Sequence, residues 1–243
     1  MRAIEPSGFA GSRYGARPFY RAIATCAAVT AILEGCFFRG RLPARELYQL
    51  RLPGNVAAAA QADHGGRVLA PGSVAIVPYV APGMYGDRAI VYRVDESEYG
   101  AYPNREWALP VATMLGMLTE DVLRAQPLTA ERAVFDPPSP HAYTYIWRGL
   151  VRELEEVDRG KDVFAAVRLD ARLVRAGDDS VLWSGSVRLE RPVPQGTMPA
   201  IVETLSQLAA EAVTQLMDGA RQALPAAAAS AVRARLPGAT ARP

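Results

Sequence analysis

Two stretches toward the C-terminal end alternate apolar and polar residues with a period of two. From Asp162 to Val174, Val163, Ala165, Val167, Leu169, Ala171 and Leu173 fall on one side and Arg168, Asp170 and Arg172 on the other. Val181 to Leu189 repeats the pattern through Val181, Trp183, Gly185, Val187 and Leu189. Such alternation marks strands with one packed face and one wet face. Ala176-Gly177-Asp178-Asp179 between them is a turn signal, so the two runs are predicted to form an antiparallel hairpin.

The period changes on either side of that hairpin. After Thr197-Met198-Pro199, Ile201, Val202, Leu205, Leu208, Ala209, Ala212, Val213 and Leu216 recur at helical spacing and predict a helix that covers the packed face. A second amphipathic helix is predicted through Val111, Met114, Leu115, Leu118 and Val122, entered from Asn104 to Pro110 and ended by Pro127. The remaining runs are β-like. Glu46 to Leu52 alternates, Ser73 to Val80 is apolar throughout like a strand buried on both faces, and Arg132 to Phe135 is short and β-prone. Arg88 to Val94 and Glu98 to Tyr102 flank Asp95-Glu96-Ser97 as a second hairpin.

Ile146 to Val157 carries both signals, because Ile146, Leu150 and Leu154 sit four apart among aromatic and β-branched residues; it is read as a strand with a bulge. Asn55 to Gly72 has no period and reads as a surface loop, and Pro137-Pro138-Ser139-Pro140 as a rigid turn. The predicted fold is therefore α/β: a mixed sheet with a C-terminal antiparallel hairpin and two main amphipathic helices.

The N-terminal region has another logic. Arg13, Arg17 and Arg21 precede a mostly apolar run from Ala22 to Leu33, and Leu33-Glu34-Gly35-Cys36 closes it. A membrane-spanning helix needs about 20 apolar residues. The shorter run fits the h-region of a signal peptide over residues 1–35, with the small Gly35 at the cleavage point and Cys36 as the lipidation site. Glu34 departs from the small or hydroxylated residue usual in a lipobox. Cys26, closer to the arginines, is the weaker candidate. Residues 36–222 are then the working domain, and the alanine- and proline-rich 223–243 a mobile tail.

Removing residues 1–35 changes the charge balance. The whole chain has a formal net charge of +2, with 27 basic and 25 acidic side chains. The leader holds four arginines (Arg2, Arg13, Arg17, Arg21) against Glu5 and Glu34, so the remainder is neutral. A neutral domain with no basic stripe has no electrostatic footprint for nucleic acid. No cysteine follows Cys36, so stability must come from packing rather than disulfides.

Catalytic signals are weak. His64 and His141 have no ligand types at metal-binding spacing, so no metal and no cofactor are expected. Ser184 and Ser186 lie within a strand pattern and read as the wet face of the hairpin, and no Gly-rich loop opens a helix. Glu153, Glu155, Glu156 and Asp158 could serve acid–base chemistry, but with no apolar pocket evident around them they read as a solvated face. No enzymatic activity is expected. The distinctive segment is Arg88 to Leu109, which gathers Tyr92, Tyr99, Tyr102 and Trp107. It is either hairpin core and helix anchor, or an aromatic surface that touches a partner protein or acyl chains.

In the order and spacing of its pieces the chain resembles the ABC-type transport auxiliary lipoproteins of the PqiC (YmbA) type. The matching pieces are Cys36, Leu47-Tyr48-Gln49-Leu50, Val74-Ala75-Ile76-Val77-Pro78, and Ile90-Val91-Tyr92-Arg93 followed by Tyr99, Tyr102 and Trp107. The hairpin 162–189 and the closing amphipathic helix complete them, over about residues 36 to 220. The resemblance implies a non-catalytic partner of an MCE-type lipid transport system: an inner-membrane permease and ATPase, an MCE protein crossing the periplasm, and this subunit tethered at the outer membrane, as a ring of identical copies. Phe37, where an aspartate would signal inner-membrane retention, favours the outer membrane by the family rule. Three acyl chains on Cys36 anchor stably where one is marginal. The runner-up is an envelope lipoprotein that regulates a cell-wall enzyme or acts as an outer-membrane scaffold.

Overall fold

A computed structural model describes the backbone of residues 44–54 and 70–234 and the side chains of 44–54 and 70–224. The signal segment, Cys36, most of the 55–72 loop with His64, and residues 235–243 lie outside the described residues. Eight strands form one mixed sheet: β1 (Glu46–Tyr48), β2 (Val74–Ile76), β3 (Ala89–Val94), β4 (Glu98–Trp107), β5 (Ala133–Phe135), β6 (Tyr145–Arg159), β7 (Asp162–Arg175) and β8 (Val181–Pro192). The helices are α1 (Val111–Ala125) and α2 (Met198–Ala234).

The sheet is organised around β6. Its whole length pairs antiparallel with β7, and β7 in turn with β8, as the alternating pattern predicts. Along its other edge, β6 takes β2 parallel at Tyr145–Trp147 and β3 parallel at Glu155–Asp158. Beyond them lie β5 against β2, and β4 then β1 against β3. The 146–157 ambiguity resolves to a strand with a bulge at Arg152, between the pairs Val151↔Leu169 and Glu153↔Arg168. That inserted residue lets Val151 and Leu154 share a face although three positions apart.

Both helices lie on one face. The predicted apolar residues of α1 and α2 pack in one cluster with Trp147, Val151, Leu154, Ala165, Val167, Leu169, Ala171 and Leu173. The opposite face exposes Arg148, Arg152, Arg168, Arg172 and Arg188. The sheet is thus covered by both helices on one side; on the other the segment through Tyr85 lies over β3 and β6, while β7 and β8 expose their polar rows.

Several boundaries differ from the sequence reading. β1 and β2 are only three residues long, because each pairs over just three positions. β4 does not stop at Tyr102 but runs to Trp107, so Asn104–Trp107 belongs to the sheet rather than to the helix approach. Pro103, which lacks an N–H, sits in the irregular stretch between Val91↔Ala101 and Ala89↔Glu106, where a ladder bond is dispensable. The backbone of α2 continues to Ala234, past the composition change at Ala223.

Candidate functional site

β3, β4 and β6 meet where Val91 pairs with Glu155, Tyr92 with Glu156 and Gly100, and Arg93 with Val157 and Tyr99. Paired residues share a face and successive residues alternate. Tyr92, Gly100, Tyr102 and Glu156 therefore point to the helix side, and Arg93, Tyr99 and Glu155 to the open side.

The carboxylate run is not a solvated face. Glu155 is 0% exposed and Glu156 4%. Burying a carboxylate is costly unless it is paired and hydrogen-bonded, and both have found partners in the tyrosine-rich segment. On the open side, Arg93 Nε donates to Glu155 Oε1 at 2.7 Å and the Tyr85 hydroxyl donates to Glu155 Oε2. Arg93 also donates to the Asp95 carbonyl at 2.7 Å and lies 5.9 Å from the centre of the Tyr99 ring. Burial, followed by the adjacent Glu155 charge, drives the Tyr85 hydroxyl well above the usual phenol range. Tyr85 is thus held as a donor.

On the helix side, the Tyr102 hydroxyl donates to Glu156 Oε2 at 2.7 Å, and the Tyr92 and Tyr102 rings lie 5.2 Å apart, inclined at 57°. Gly100 makes room for this: a Cβ there would lie 2.3 Å from the Tyr92 ring. Burial raises the Glu156 carboxyl above its ordinary value, the Tyr102 bond opposes the shift and neighbouring Asp158 adds to it. Glu153 and Asp158, the other members of the run, are half-buried; Glu153 accepts Arg188 Nε at 2.9 Å.

The four predicted contact residues separate. Tyr99 is 49% exposed, Tyr92 and Tyr102 are half-buried over Glu156, and Trp107 is 1% exposed in the core. Only Tyr99 offers a free aromatic face. Met84, 41% exposed, adjoins Tyr85, and Val80, 62% exposed, bridges Leu150 on the open side. Tyr85, Arg93, Glu155 and Glu156 are the residues the sequence reading did not bring together. Their signal was two carboxylates set between Leu154 and Val157 in a strand with no free edge.

The arrangement fastens the tyrosine-rich segment to the central strand from both faces. A groove of about 770 Å³ lies between residues 47–54 and the first turns of α2, and one of about 410 Å³ touches Tyr102, Arg88 and Glu106; neither is lined by a buried carboxylate. Among the described residues no group of three His, Cys, Asp or Glu is placed to hold a metal. His141 Nδ1 sits 2.9 Å from the Ala176 carbonyl, and Ser186 donates to Asp170 on the open face. No described helix is long and apolar enough to cross a membrane.

The sequence profile of the family described as ABC-type transport auxiliary lipoprotein component matches residues 48–217, from the end of β1 to the middle of α2. The chain belongs to this family. The match spans β2 to β8 and includes both the segment from Tyr85 to Trp107 and the two buried glutamates of β6. No curated relative matches significantly. Among solved structures, a Xanthomonas campestris protein of the DUF330 family superposes with a TM-score of 0.53 at 16% identity, covering 71% of this chain and 89% of its own. A PelC dodecamer subunit from Paraburkholderia phytofirmans gives 0.44 at 16% identity, over 65% and 94%. At that identity the Xanthomonas likeness shows a shared fold. The auxiliary-lipoprotein domain thus accounts for the helix-covered sheet, and its membership makes the chain an accessory component of ABC-type transport.

Proposed function

We propose that this auxiliary lipoprotein is a non-catalytic subunit of an MCE-type intermembrane lipid transport system, anchored through Cys36 at the periplasmic face of the outer membrane, where it docks the periplasmic MCE protein served by the ABC permease and ATPase. The observation that carries this reading is the rigid mounting of Tyr99: an exposed aromatic ring held over the Arg93–Glu155–Tyr85 cluster, on the sheet face opposite α1 and α2. Rigid, exposed aromatic rings beside arginine are typical of protein contacts. A tether from Cys36 to Glu46 reaches at most about 35 Å, which keeps the domain beside its membrane.

Two measurements test the reading. Mass spectrometry of the membrane fraction is expected to find an acylated peptide beginning at Cys36; an intact chain from Met1 refutes the anchor. Capture of the purified MCE partner is expected to weaken on Tyr99→Ala, and unchanged capture removes Tyr99 from the interface. Gene neighbourhood gives an independent check, since MCE, permease and ATPase genes are expected alongside.

A further inference from the structure

The open face of β6, β7 and β8 carries more positive charge than it neutralises. Six arginines project there, Arg148, Arg152, Arg159, Arg168, Arg172 and Arg188, against Glu153, Asp162, Asp170 and Glu190; Glu155, on the same side, is taken by Arg93. Three of these carboxylates are engaged, Asp170 by Arg152 at 2.7 Å, Glu153 by Arg188 at 2.9 Å and Glu190 by Arg159 at 2.9 Å, and Asp162 lies at the far end of β7 opposite Arg159. Asp179, from the turn, takes Arg148 at 3.2 Å. Two cations are left over. Arg168 reaches only the already engaged Glu153, at 4.0 Å, and Arg172 has no ion pair among the described residues. Register makes this surplus costly, since Arg172 stands directly opposite Arg148 and Arg168 directly opposite Arg188. Like charges directly opposite on a sheet destabilise it.

We propose that this face is a docking surface for the carboxylate-rich face of a protein partner, with Arg168 and Arg172 at its electrostatic centre. The inference rests on the docking reading above and adds to it the partner's surface chemistry and the strand that meets it. Arg168 and Arg172 lie two positions apart on the middle strand of a rigid sheet, so their guanidinium forks are spaced to take carboxylates in succession. Tyr99 stands on the same side of the sheet, across β3 and β6.

The mixture of signs selects the class of partner. A headgroup surface is met by unmixed basic clusters, whereas here each arginine row is interleaved with carboxylates or serines. Such patterning fixes register and partner choice at protein interfaces. A second copy of this chain is disfavoured, because it would present the same surplus of arginine.

The test uses the full chain purified in detergent and titrated with the purified periplasmic MCE partner. Charge reversal in R168E/R172E is expected to weaken binding by about tenfold to a hundredfold, and wild-type affinity to fall with salt. Both side chains are exposed, so an unchanged circular dichroism spectrum confirms that the variant folds. Equal affinity of wild type and double variant overturns the arginine surface while leaving the docking reading intact. Failure of the wild-type chain to bind the partner at all overturns the docking reading, and the inference with it. Phosphatidylglycerol vesicles that capture wild type but not the double variant, with partner affinity unchanged, assign the face to a membrane and overturn the protein assignment. A concentration-dependent dimer lost in the double variant, again with partner affinity unchanged, assigns the face to a second copy and overturns it equally.

Discussion

Glu155 and Glu156 are consecutive on β6, yet their carboxylates serve opposite faces of the sheet, and each receives a tyrosine hydroxyl from the segment that ends in β4. The pair fastens that segment to the central strand from both sides. Arg93 supplies the charge that makes Glu155 tolerable. Removing one partner of a buried ion pair leaves an uncompensated charge. Arg93→Leu is therefore expected to destabilise the fold by about 3 kcal/mol, seen as a lower urea midpoint. The double variant Arg93→Leu/Glu155→Leu should recover much of that loss; no recovery would show that Arg93 acts by packing alone.

Glu156 makes stability depend on pH in the direction opposite to the surface carboxylates. Burial raises its pKa in the fold, so the folded state holds that proton more tightly than the unfolded chain does. Its contribution is complete below the ordinary glutamate value and is lost as pH rises through the raised folded value. Asp170 and Glu190 are shifted down and contribute the reverse, a stability lost on acidification. Glu156→Gln keeps a carbonyl acceptor for Tyr102 but does not ionise. The advantage of this variant over wild type is expected to grow as pH is raised from mildly acidic to neutral, measured by urea unfolding across that range. A difference that stays flat with pH would mean that Glu156 does not titrate there.

Tyr99 and Trp107 should separate contact from folding. Trp107→Ala empties a core site that is 1% exposed and is expected to cost about 3–5 kcal/mol. Tyr99→Ala removes an exposed ring and is expected to change stability by no more than about 0.5 kcal/mol. Thermal unfolding of the two variants in parallel measures this. Any loss of partner capture by the tryptophan variant must accordingly be compared at equal folded fraction.

Gly149 is expected to be intolerant of the smallest side chain. A Cβ at this position would lie 2.1 Å from the Tyr79 ring, whose buried hydroxyl accepts Trp147 Nε1 at 3.1 Å and pairs with Thr119 at 2.8 Å. The ring cannot move without giving up both contacts. Gly149→Ala should destabilise by about 2 kcal/mol despite alanine's smaller loss of backbone entropy, and a thermal shift assay reads the sign directly.

Much of this fold is visible in one dimension because its largest parts are local. The β7–β8 hairpin, the apolar stripes of α1 and α2 and even the bulge in β6 follow from period and turn residues within a few positions. The parallel pairings of β1 with β4 and of β2 and β3 with β6 leave no such trace, since three or four matched residues carry no distinguishing period. The site was obscured for a related reason. A run such as Leu154-Glu155-Glu156-Val157 looks solvated until Arg93, Tyr85 and Tyr102 are brought across from distant strands. The run Glu98 to Tyr102 is likewise only part of its strand, which passes an irregular stretch at Pro103 and pairs on to Trp107.

The position of β6 also sets the order in which the molecule can assemble. Its antiparallel partner β7 follows after a two-residue turn, so that hairpin closes over short chain separations and at small entropic cost. Val74 must instead find Tyr145, and Val91 must find Glu155. Long-range parallel pairings of this kind form slowly. A chain emerging N-terminus first thus carries β1 to β5 for some time with no central strand to join. The first half of the molecule stays open and threadable until β6 arrives, and folding is then completed from the C-terminal half backward.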